Sequence, residues 1–350
     1  MAYTAIDDPS AYFKVQLYSG DGTAIGSGGQ VITFDDTDTD MQPDLVWAKC
    51  RSINNNHNMV DSVRGGGKKL APNSTYFEET KTEGIASFQS DGFTVGNYEN
   101  VNKSGETFVA WNWKANGAGS SNTDGSITST VSANTTTGFS IVKWTGDDST
   151  ATIGTGLNAV PKMIITKRYD ASDNWFTYHH SLGNTKYMLL EADDAEAVSN
   201  GAWDDTSPTS SVFTKDSATN IDTGTYIAYC FTGKQGYSKF GSYTGNGNVS
   251  GPMIWLGFKP SFIIAKRSDA SGYDWTMMDS KRSPFNEADD WLYPNLTAVE
   301  DTNGAVDFLS NGFKIRQTHS YWNTSGASYI YMAFAEAPFV NSNGVPCTAR

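Results

Sequence analysis

Four closely spaced aspartates are the residues of this chain whose types and spacing best suit an ion. They are Asp35, Asp36, Asp38 and Asp40. Calcium takes several hard oxygen ligands from one loop, so Asp36, Asp38 and Asp40 are candidate calcium ligands. The run lacks the glycine and the distal glutamate of a helix-loop-helix calcium loop. A solvated loop without metal is therefore the alternative interpretation, and no other cofactor is predicted.

Catalytic patterns are lacking elsewhere. His179 and His180 are adjacent, and neighbouring side chains on a strand point to opposite faces, which disfavours a shared metal. The sequence has no phosphate loop, nucleophile elbow or dinucleotide fingerprint. A glycosidase needs two carboxylates, one with a raised pKa, and Glu336 is the exceptional acid that has apolar neighbours. We predict no catalytic residues and expect that the protein is not an enzyme.

Aromatic residues offer a different chemistry, because the chain has 10 Trp, 17 Tyr and 18 Phe. An aromatic ring on a loop can stack on the apolar face of a sugar. Aromatics that recur at equivalent positions are expected to fill cores, whereas those in loops without counterparts are better ligand candidates. The candidate ligand-binding residues are Tyr98, Trp203, Tyr273, Tyr321 and Trp322.

A repeated sequence motif, called the proline word below, predicts the elements that position these residues. Pro43–Lys49, Pro161–Lys167 and Pro260–Lys266 each contain a proline, a variable residue, four mostly apolar residues and a lysine. The pattern predicts a short strand that is apolar on both faces, with proline at its start where no ladder hydrogen bond is lost. Three copies of one word predict three copies of one structural unit.

Six strand signatures recur in the same order around this word, separated by turns. They predict an all-β protein of three tandem antiparallel, jelly-roll-like β-sandwich units. The predicted units are residues 1–117 with an N-terminal arm (unit 1), 118–236 (unit 2) and 237–350 with a C-terminal tail (unit 3). The Gly- and Ser-rich residues 116–125 are predicted as a linker, and 126–131 as an additional strand.

Charge and cysteine content limit the partners. A net charge of −13 argues against nucleic acid and against anionic membrane surfaces. Cys50, Cys230 and Cys347 are far apart, which predicts free thiols. The chain shows no signal peptide and no apolar stretch of membrane-spanning length, so we expect synthesis in a cytoplasm.

Several words in combination give the chain a family resemblance. They are Ala2–Phe13, Pro43–Lys49, Val109–Lys114, Tyr329–Phe339 and Gly344–Arg350. Together they resemble a family of virion-associated proteins of marine bacteriophages whose common domain has no known function. The resemblance implies a structural protein of the virion, of the kind described as tail-fibre or lectin-like. It implies other virion proteins as partners and a homo-oligomer on the particle, and it brings no catalytic residues.

Three hypotheses follow. The protein is a tail-fibre or similar adhesin that binds host surface glycans, a capsid- or tail-attached decoration or adaptor protein without a host ligand, or a polysaccharide depolymerase. An adhesin predicts aromatic side chains clustered at one end of a unit. A decoration protein predicts a large apolar interface, and a depolymerase predicts two buried carboxylates in a groove.

Overall fold

The protein is all-β, with 42% of its residues in strands and 4% in helices. The computed structural model describes residues 2–34, 39–199, 201–220 and 223–348. The predicted calcium ligands Asp36 and Asp38 lie outside the described residues. The helical pieces are a single α-helical turn, α1 (Glu99–Asn102), and three 3₁₀ turns at Pro9–Ala11, Ile25–Ser27 and Ser217–Thr219.

The described residues of unit 1 form nine strands in three antiparallel sheets. A four-stranded sheet has the order β1-β9-β3-β4, a three-stranded sheet the order β2-β8-β7, and β5 pairs with β6. The strands are β1 (Phe13–Ser19), β2 (Gln30–Thr33), β3 (Leu45–Cys50), β4 (Asn58–Asp61), β5 (Lys68–Lys69), β6 (Glu79–Thr80), β7 (Ile85–Gln89), β8 (Gly92–Val95) and β9 (Thr107–Trp113).

Unit 2 contains an eight-stranded sheet of order β10-β11-β12-β19-β14-β15-β16-β17 and a pair, β13-β18. Its centre, β12-β19-β14-β15, repeats the strand order of the four-stranded sheet of unit 1. The strands are β10 (Ser120–Asn122), β11 (Ser129–Asn134), β12 (Phe139–Thr145), β13 (Ala151–Gly154), β14 (Met163–Arg168), β15 (Trp175–His179), β16 (Lys186–Leu189), β17 (Ala197–Val198), β18 (Val212–Lys215) and β19 (Thr225–Phe231).

Unit 3 repeats the same order once more in the four-stranded sheet β20-β26-β22-β23, beside the three-stranded sheet β21-β25-β24. The strands are β20 (Ser238–Thr244), β21 (Met253–Trp255), β22 (Phe258–Arg267), β23 (Thr276–Asp279), β24 (Val306–Leu309), β25 (Gly312–Ile315) and β26 (Ser328–Pro338). The residues of the repeated proline word therefore lie in β3, β14 and β22, at the inside of each sheet.

The strands β3, β14 and β22, called the proline strands below, are buried on both faces, as their apolar runs predict. One face of each strand packs on the smaller sheet of its own unit, and there Val46, Ile164 and Ile263 belong to three separate core clusters. The opposite face carries Trp47, Ile165 and Ile264, which belong to one central cluster. Continuous apolar sequence is needed because both faces of these strands are covered.

The central core is shared by all three units. The ring of Phe13 lies 5.0 Å from that of Phe334 and 5.7 Å from that of Phe262, and Trp113 lies 6.4 Å from Phe231. Since each unit contributes aromatic side chains to this core, none of them buries its inward face alone. The described part of the chain folds around one common centre.

A side chain of each unit also bonds to the backbone of the previous one, and the contacts close a ring. The three side chains occupy equivalent positions, just before β4 and β23 and at the first residue of β15. Trp175 Nε1 donates to Ser74 O (3.0 Å), Trp275 Nε1 to Leu189 O (2.9 Å), and His57 Nε2 lies 3.0 Å from Tyr293 O. Unit 1 therefore contacts unit 2, unit 2 contacts unit 3, and unit 3 contacts unit 1.

Two predictions for the connection between units 1 and 2 have different outcomes. The linker interpretation of residues 116–125 is wrong for its middle, because Ser120–Asn122 form β10, paired with β11. Glycine and serine make a segment flexible when it is alone, but their backbones form ladder bonds wherever a partner edge is present. The additional strand expected at 126–131 is confirmed as β11, shifted toward residue 134.

Other sequence predictions also have outcomes here. All three cysteines are free, and Cys230 is a fully buried core residue. Within the described ranges, no helix combines the length and the apolar character needed to cross a membrane.

Candidate functional site

Two of the predicted ligand-binding aromatics are core residues. Trp203 is 1% exposed and packs edge-on against Tyr178, and Trp322 is fully buried in the core of unit 3. Neither offers a ring face to a ligand, so the expectation that these two residues lie in accessible loops is not met. Their loops fold inward because burying a large indole outweighs keeping the loop solvated.

Tyr98 is half-buried and stands apart from the other candidates. The ammonium groups of Lys81 and Lys69 lie 5.4 and 5.7 Å from its ring centroid, and Asn100 Nδ2 donates to its hydroxyl at 3.0 Å. The ring is therefore engaged by cations of its own unit.

Tyr273 and Tyr321 are brought together by the fold, although 48 residues separate them in the chain. Their ring centroids are 6.1 Å apart, and both side chains are half-buried. Tyr321 is also 6.0 Å from Trp291, 6.1 Å from Tyr293 and 4.8 Å from His319. These five residues are called the tyrosine cluster below.

Three loops at one end of unit 3 supply the cluster. Tyr273 lies between β22 and β23, Trp291 and Tyr293 follow β23, and His319 and Tyr321 lie between β25 and β26. In the last loop the backbone N–H groups of Trp322 and Asn323 both donate to His319 O, which closes a tight turn. Trp322 anchors this turn in the core, and so Tyr321 beside it is held near the surface.

Carboxylates fix the hydroxyl groups of the cluster. Tyr321 donates to Asp274 Oδ2 at 3.2 Å, and Tyr293 donates to Asp301 Oδ2 at 2.9 Å. Burial, and then the charge of Asp274, raise the pKa of Tyr321 to about 12. Its hydroxyl therefore stays protonated at neutral pH.

One face of Tyr273 carries a guanidinium. Arg267 Cζ lies 4.3 Å from the ring centroid, and Arg267 Nε donates to Asp269 at 2.7 Å. This stacking covers one face of the ring, and Tyr321 meets the same ring at 87°.

Unit 2 borders the cluster. Asp193 O accepts from the backbone N–H groups of Gly272 (3.0 Å) and Tyr273 (3.3 Å). Beside this contact is a cavity of about 290 Å³, whose lining includes Tyr187, Asp194 and Ser271. Half-buried aromatic rings next to carboxylates and hydroxyls suit a neutral polyhydroxylated ligand, because the rings offer apolar faces and the oxygens accept hydroxyl protons.

Sequence reasoning missed Trp291, Tyr293 and His319 as members of the cluster. Trp291 and Tyr293 lie in a short apolar segment, and His319 has no histidine or cysteine near it in the sequence, so none of the three shows a ligand-binding pattern. A usable signal was the difference between the three copies. Two residues before the cross-strand partner of the proline-word lysine stands Asn55 in unit 1, Asp173 in unit 2 and Tyr273 in unit 3. Other exposed aromatics outside the cluster are Tyr76, Phe77, Trp255 and Phe285.

The histidines and the predicted calcium ligand Asp40 do not form a metal site. Asp40 is exposed. His179 Nε2 lies 3.2 Å from Tyr331 O, and His180 Nε2 lies 3.1 Å from Phe240 O. Among the residues that the structure describes, no group of three or more histidine, cysteine or acidic side chains is placed to hold a metal ion.

The fully buried carboxylates of the described residues have structural partners. Asp61 and Asp279 form ion pairs of 2.6 Å with Arg64 and Arg282. Asp44 accepts from the backbone N–H groups of residues 115 and 117. Glu336, the acid with apolar neighbours, is paired with Lys259 at 2.7 Å.

The fold and the cluster define an all-β protein with a surface aromatic site. The chain belongs to the family described as Domain of unknown function (DUF7483), whose model matches residues 8–338. The comparisons with curated proteins and with solved structures gave no match.

Proposed function

We propose that this protein is a non-enzymatic structural protein of a bacteriophage virion, a tail-fibre or similar adhesin that binds host surface glycans. The tyrosine cluster is the proposed binding site. The phage assignment rests on the sequence resemblance, and glycan binding rests on the cluster.

The observation that carries glycan binding is the joining of Tyr273 and Tyr321, at 6.1 Å, beside Asp274. Two half-buried rings from separate loops meet at 87° and give an apolar corner with a carboxylate at its edge. Pyranose rings have apolar faces bordered by hydroxyl groups, so one face can stack on a tyrosine ring while a hydroxyl reaches the carboxylate. His319, which is exposed, extends the site with one donor, Nε2, because its Nδ1 accepts from Tyr321 N.

The architecture supports an exterior role. We propose that the chain comprises three tandem, jelly-roll-like sandwich units, residues 1–117, 118–236 and 237–350, arranged with pseudo-threefold symmetry. The strand order shared by the four-stranded sheets of units 1 and 3 and by the centre of the eight-stranded sheet of unit 2 supports this division. A closed ring of units with one common core protects most backbone groups from proteases, as a particle surface requires.

A glycan array of bacterial surface polysaccharides, probed with the full chain, tests the proposal. The strongest hit is then titrated by calorimetry with Tyr321→Ala, Tyr273→Ala and Tyr321→Phe. We expect a loss of affinity of about tenfold for each alanine variant and a smaller loss for Tyr321→Phe, which keeps the ring. Tyr76→Ala removes an exposed ring in unit 1 and is the matched control.

The outcomes separate the hypotheses. Equal affinity of Tyr321→Ala and the unaltered chain would place the glycan elsewhere. No hit on the array would favour a decoration or adaptor protein without a host ligand. Shortening of the bound polysaccharide during the titration would indicate a depolymerase and would contradict the non-enzymatic assignment.

A further inference from the structure

The strands β1, β12 and β20 occupy equivalent positions in the three units. Each pairs with the last strand of its unit, and Val15, Ile141 and Phe240 lie opposite Trp111, Tyr229 and Met332. Those three partners lie in turn opposite the same position of each proline strand. The outer edges of β1, β12 and β20 can therefore be compared residue by residue.

In unit 2 the outer edge is filled by a further strand of the same chain. Gly146 N donates to Gly224 O, and in an antiparallel pair only every second residue bonds to the partner strand. The backbone N–H and C=O groups of Ile141 and Lys143 therefore point away from β19, toward the outer edge. β11 pairs with this edge, and Thr130 lies opposite Lys143. A cavity of only about 180 Å³ remains there.

In unit 1 side-chain amides cap the equivalent edge. Leu17 and Ser19 face outward from β1 by the same alternation. Gln16 Nε2 donates to Leu17 O at 2.8 Å, and Gln30 Nε2 donates to Ser19 O at 2.9 Å. The acceptors that an added strand would use are already bonded.

In unit 3 no strand of the described residues pairs with the equivalent edge, and one carbonyl of this edge accepts from a side chain. Gly245 N donates to Ala327 O, so Phe240, Ser242 and Thr244 face outward from β20. His180 donates to Phe240 O, whereas Ser242 and Thr244 are exposed. They line a groove of about 350 Å³ between units 2 and 3, about twice the volume left beside β11.

We infer that the β20 edge at Ser242–Thr244 binds an extended segment of a partner polypeptide by strand addition. The occupant is polar and rich in small and hydroxyl side chains, as is β11 with its sequence Ser-Thr-Val-Ser-Ala-Asn. The unit 2 side of the groove favours such a strand, because it presents Ser181 and the mutually neutralising pair Lys186 and Glu196. Main-chain bonds to an unpaired edge supply affinity, and the groove selects the side chains.

A labelled peptide with the sequence of residues 126–135, which contains β11, is the probe. Its anisotropy is measured during titration with the full chain. Saturable binding is expected, and a scrambled peptide should bind at least about tenfold more weakly. No binding of the probe at millimolar protein would overturn the inference.

N-methylation of the probe distinguishes strand addition from other binding. In β11, Ser129 and Val131 face β10, and the alternate residues Thr130 and Ser132 face β12. Methyl groups on the nitrogens of the Thr130 and Ser132 positions should weaken binding about tenfold or more, whereas the same two groups on the Ser129 and Val131 positions should not. Equal effects of the two methylated peptides would contradict pairing in this register.

The protein side is tested with Ser242→Pro, which removes the outward N–H, and with Ser242→Ala, which keeps it. We expect only the proline variant to lose the probe. If Ser242→Pro unfolds, a photo-crosslinking residue at 242 must still label the probe for the inference to stand. The unaltered chain could instead form a dimer that is lost in Ser242→Pro. That result would show that a second copy occupies the edge, and it would overturn the assignment to a partner polypeptide.

Discussion

The three junctions between the units differ in the residue at one equivalent buried position, the last residue of β4, β15 or β23. At the junction of units 3 and 1, Asp279 is paired with Arg282 and accepts from Trp111 Nε1 at 3.1 Å. At the junction of units 1 and 2, Asp61 is paired with Arg64 and accepts from the hydroxyl of Tyr229 at 2.9 Å. At the junction of units 2 and 3, His179 takes the position of the aspartate.

The difference follows from the last strand of the neighbouring unit. Met332 stands where Trp111 and Tyr229 stand in the other two units. A thioether has no proton to donate, so a carboxylate there would lack one of its partners. Neutral His179 bonds to a backbone carbonyl instead, and Leu182 replaces the arginine.

This third junction borders both candidate sites. The tyrosine cluster contacts unit 2 through Asp193 and unit 1 through Tyr293 O, which lies 3.0 Å from His57 Nε2. The edge of β20 faces the groove between units 2 and 3. The comparison teaches that two junctions are closed by buried ion pairs, whereas the third is closed by a neutral histidine bonded to a backbone carbonyl.

The largest expected effect is that of breaking one buried ion pair. Arg282→Met leaves Asp279 charged and unpaired in the core. We expect the free energy of unfolding to fall by about 3–5 kcal/mol, measured by urea denaturation. Leu182→Ala, at the equivalent place in the third junction, should cost less because no charge is stranded. A larger loss for Leu182→Ala would break the comparison.

Converting one junction into the type of another should cost less than breaking it. The triple variant Asp61→His, Arg64→Leu and Tyr229→Met gives the junction of units 1 and 2 the residues of the third junction. Replacing a buried ion pair by apolar groups of similar volume is often close to neutral. We therefore expect a smaller loss of stability than for Arg64→Met alone. The opposite order would show that the three changes are not coupled.

Stability at alkaline pH should depend on the three buried lysines that end the proline words. Lys49, Lys167 and Lys266 are buried, their ammonium groups bond to backbone carbonyls, and burial lowers the pKa of each to about 8. The unfolded chain holds these protons up to its ordinary pKa of 10.5. Stability should therefore rise above about pH 8, by at most about 1.4 kcal/mol per pH unit for each lysine.

Urea denaturation between about pH 8 and pH 9.5, below the ordinary pKa of tyrosine, measures this rise. A Lys266→Met variant should show a smaller slope than the unaltered chain. An unchanged slope would mean that Lys266 is not charged and buried as described.

The smallest expected effect concerns His179. Burial lowers the pKa of this histidine from 6.5 to about 3. In mild acid the unfolded chain binds a proton that the folded chain does not, so the stability is lost as the pH falls below 6.5, by at most about 1.4 kcal/mol per pH unit. His179→Gln should reduce the loss measured between about pH 6 and pH 4.5. An identical loss in the variant would contradict a buried neutral histidine.

Much of the architecture was readable from the sequence. The apolar run in Pro161–Lys167 predicts a strand buried on both faces, and alignment of the three copies on this run gives His179 the position of Asp61 and Asp279. In the structure the three residues do occupy equivalent positions: His179 Nδ1 accepts from Ser181 N, as Asp61 Oδ1 accepts from Val63 N.

The common core and the site were not readable. An apolar face looks the same in sequence whether its own unit or another unit covers it, so Phe13 gave no sign of contacting Phe334. Trp322 and Tyr321 are adjacent, and only the path of their loop decides which ring is buried. The site depends on three loops of unit 3 that are distant in the chain, and local patterns do not encode such contacts.

A crystal structure of the full chain with the oligosaccharide selected by the array tests most directly whether the third junction carries the ligand site. The account predicts a sugar ring in contact with Tyr273 and Tyr321, with a hydroxyl bonded to Asp274. A sugar bound at Tyr98, at Trp255 or at either of the other two junctions would contradict it.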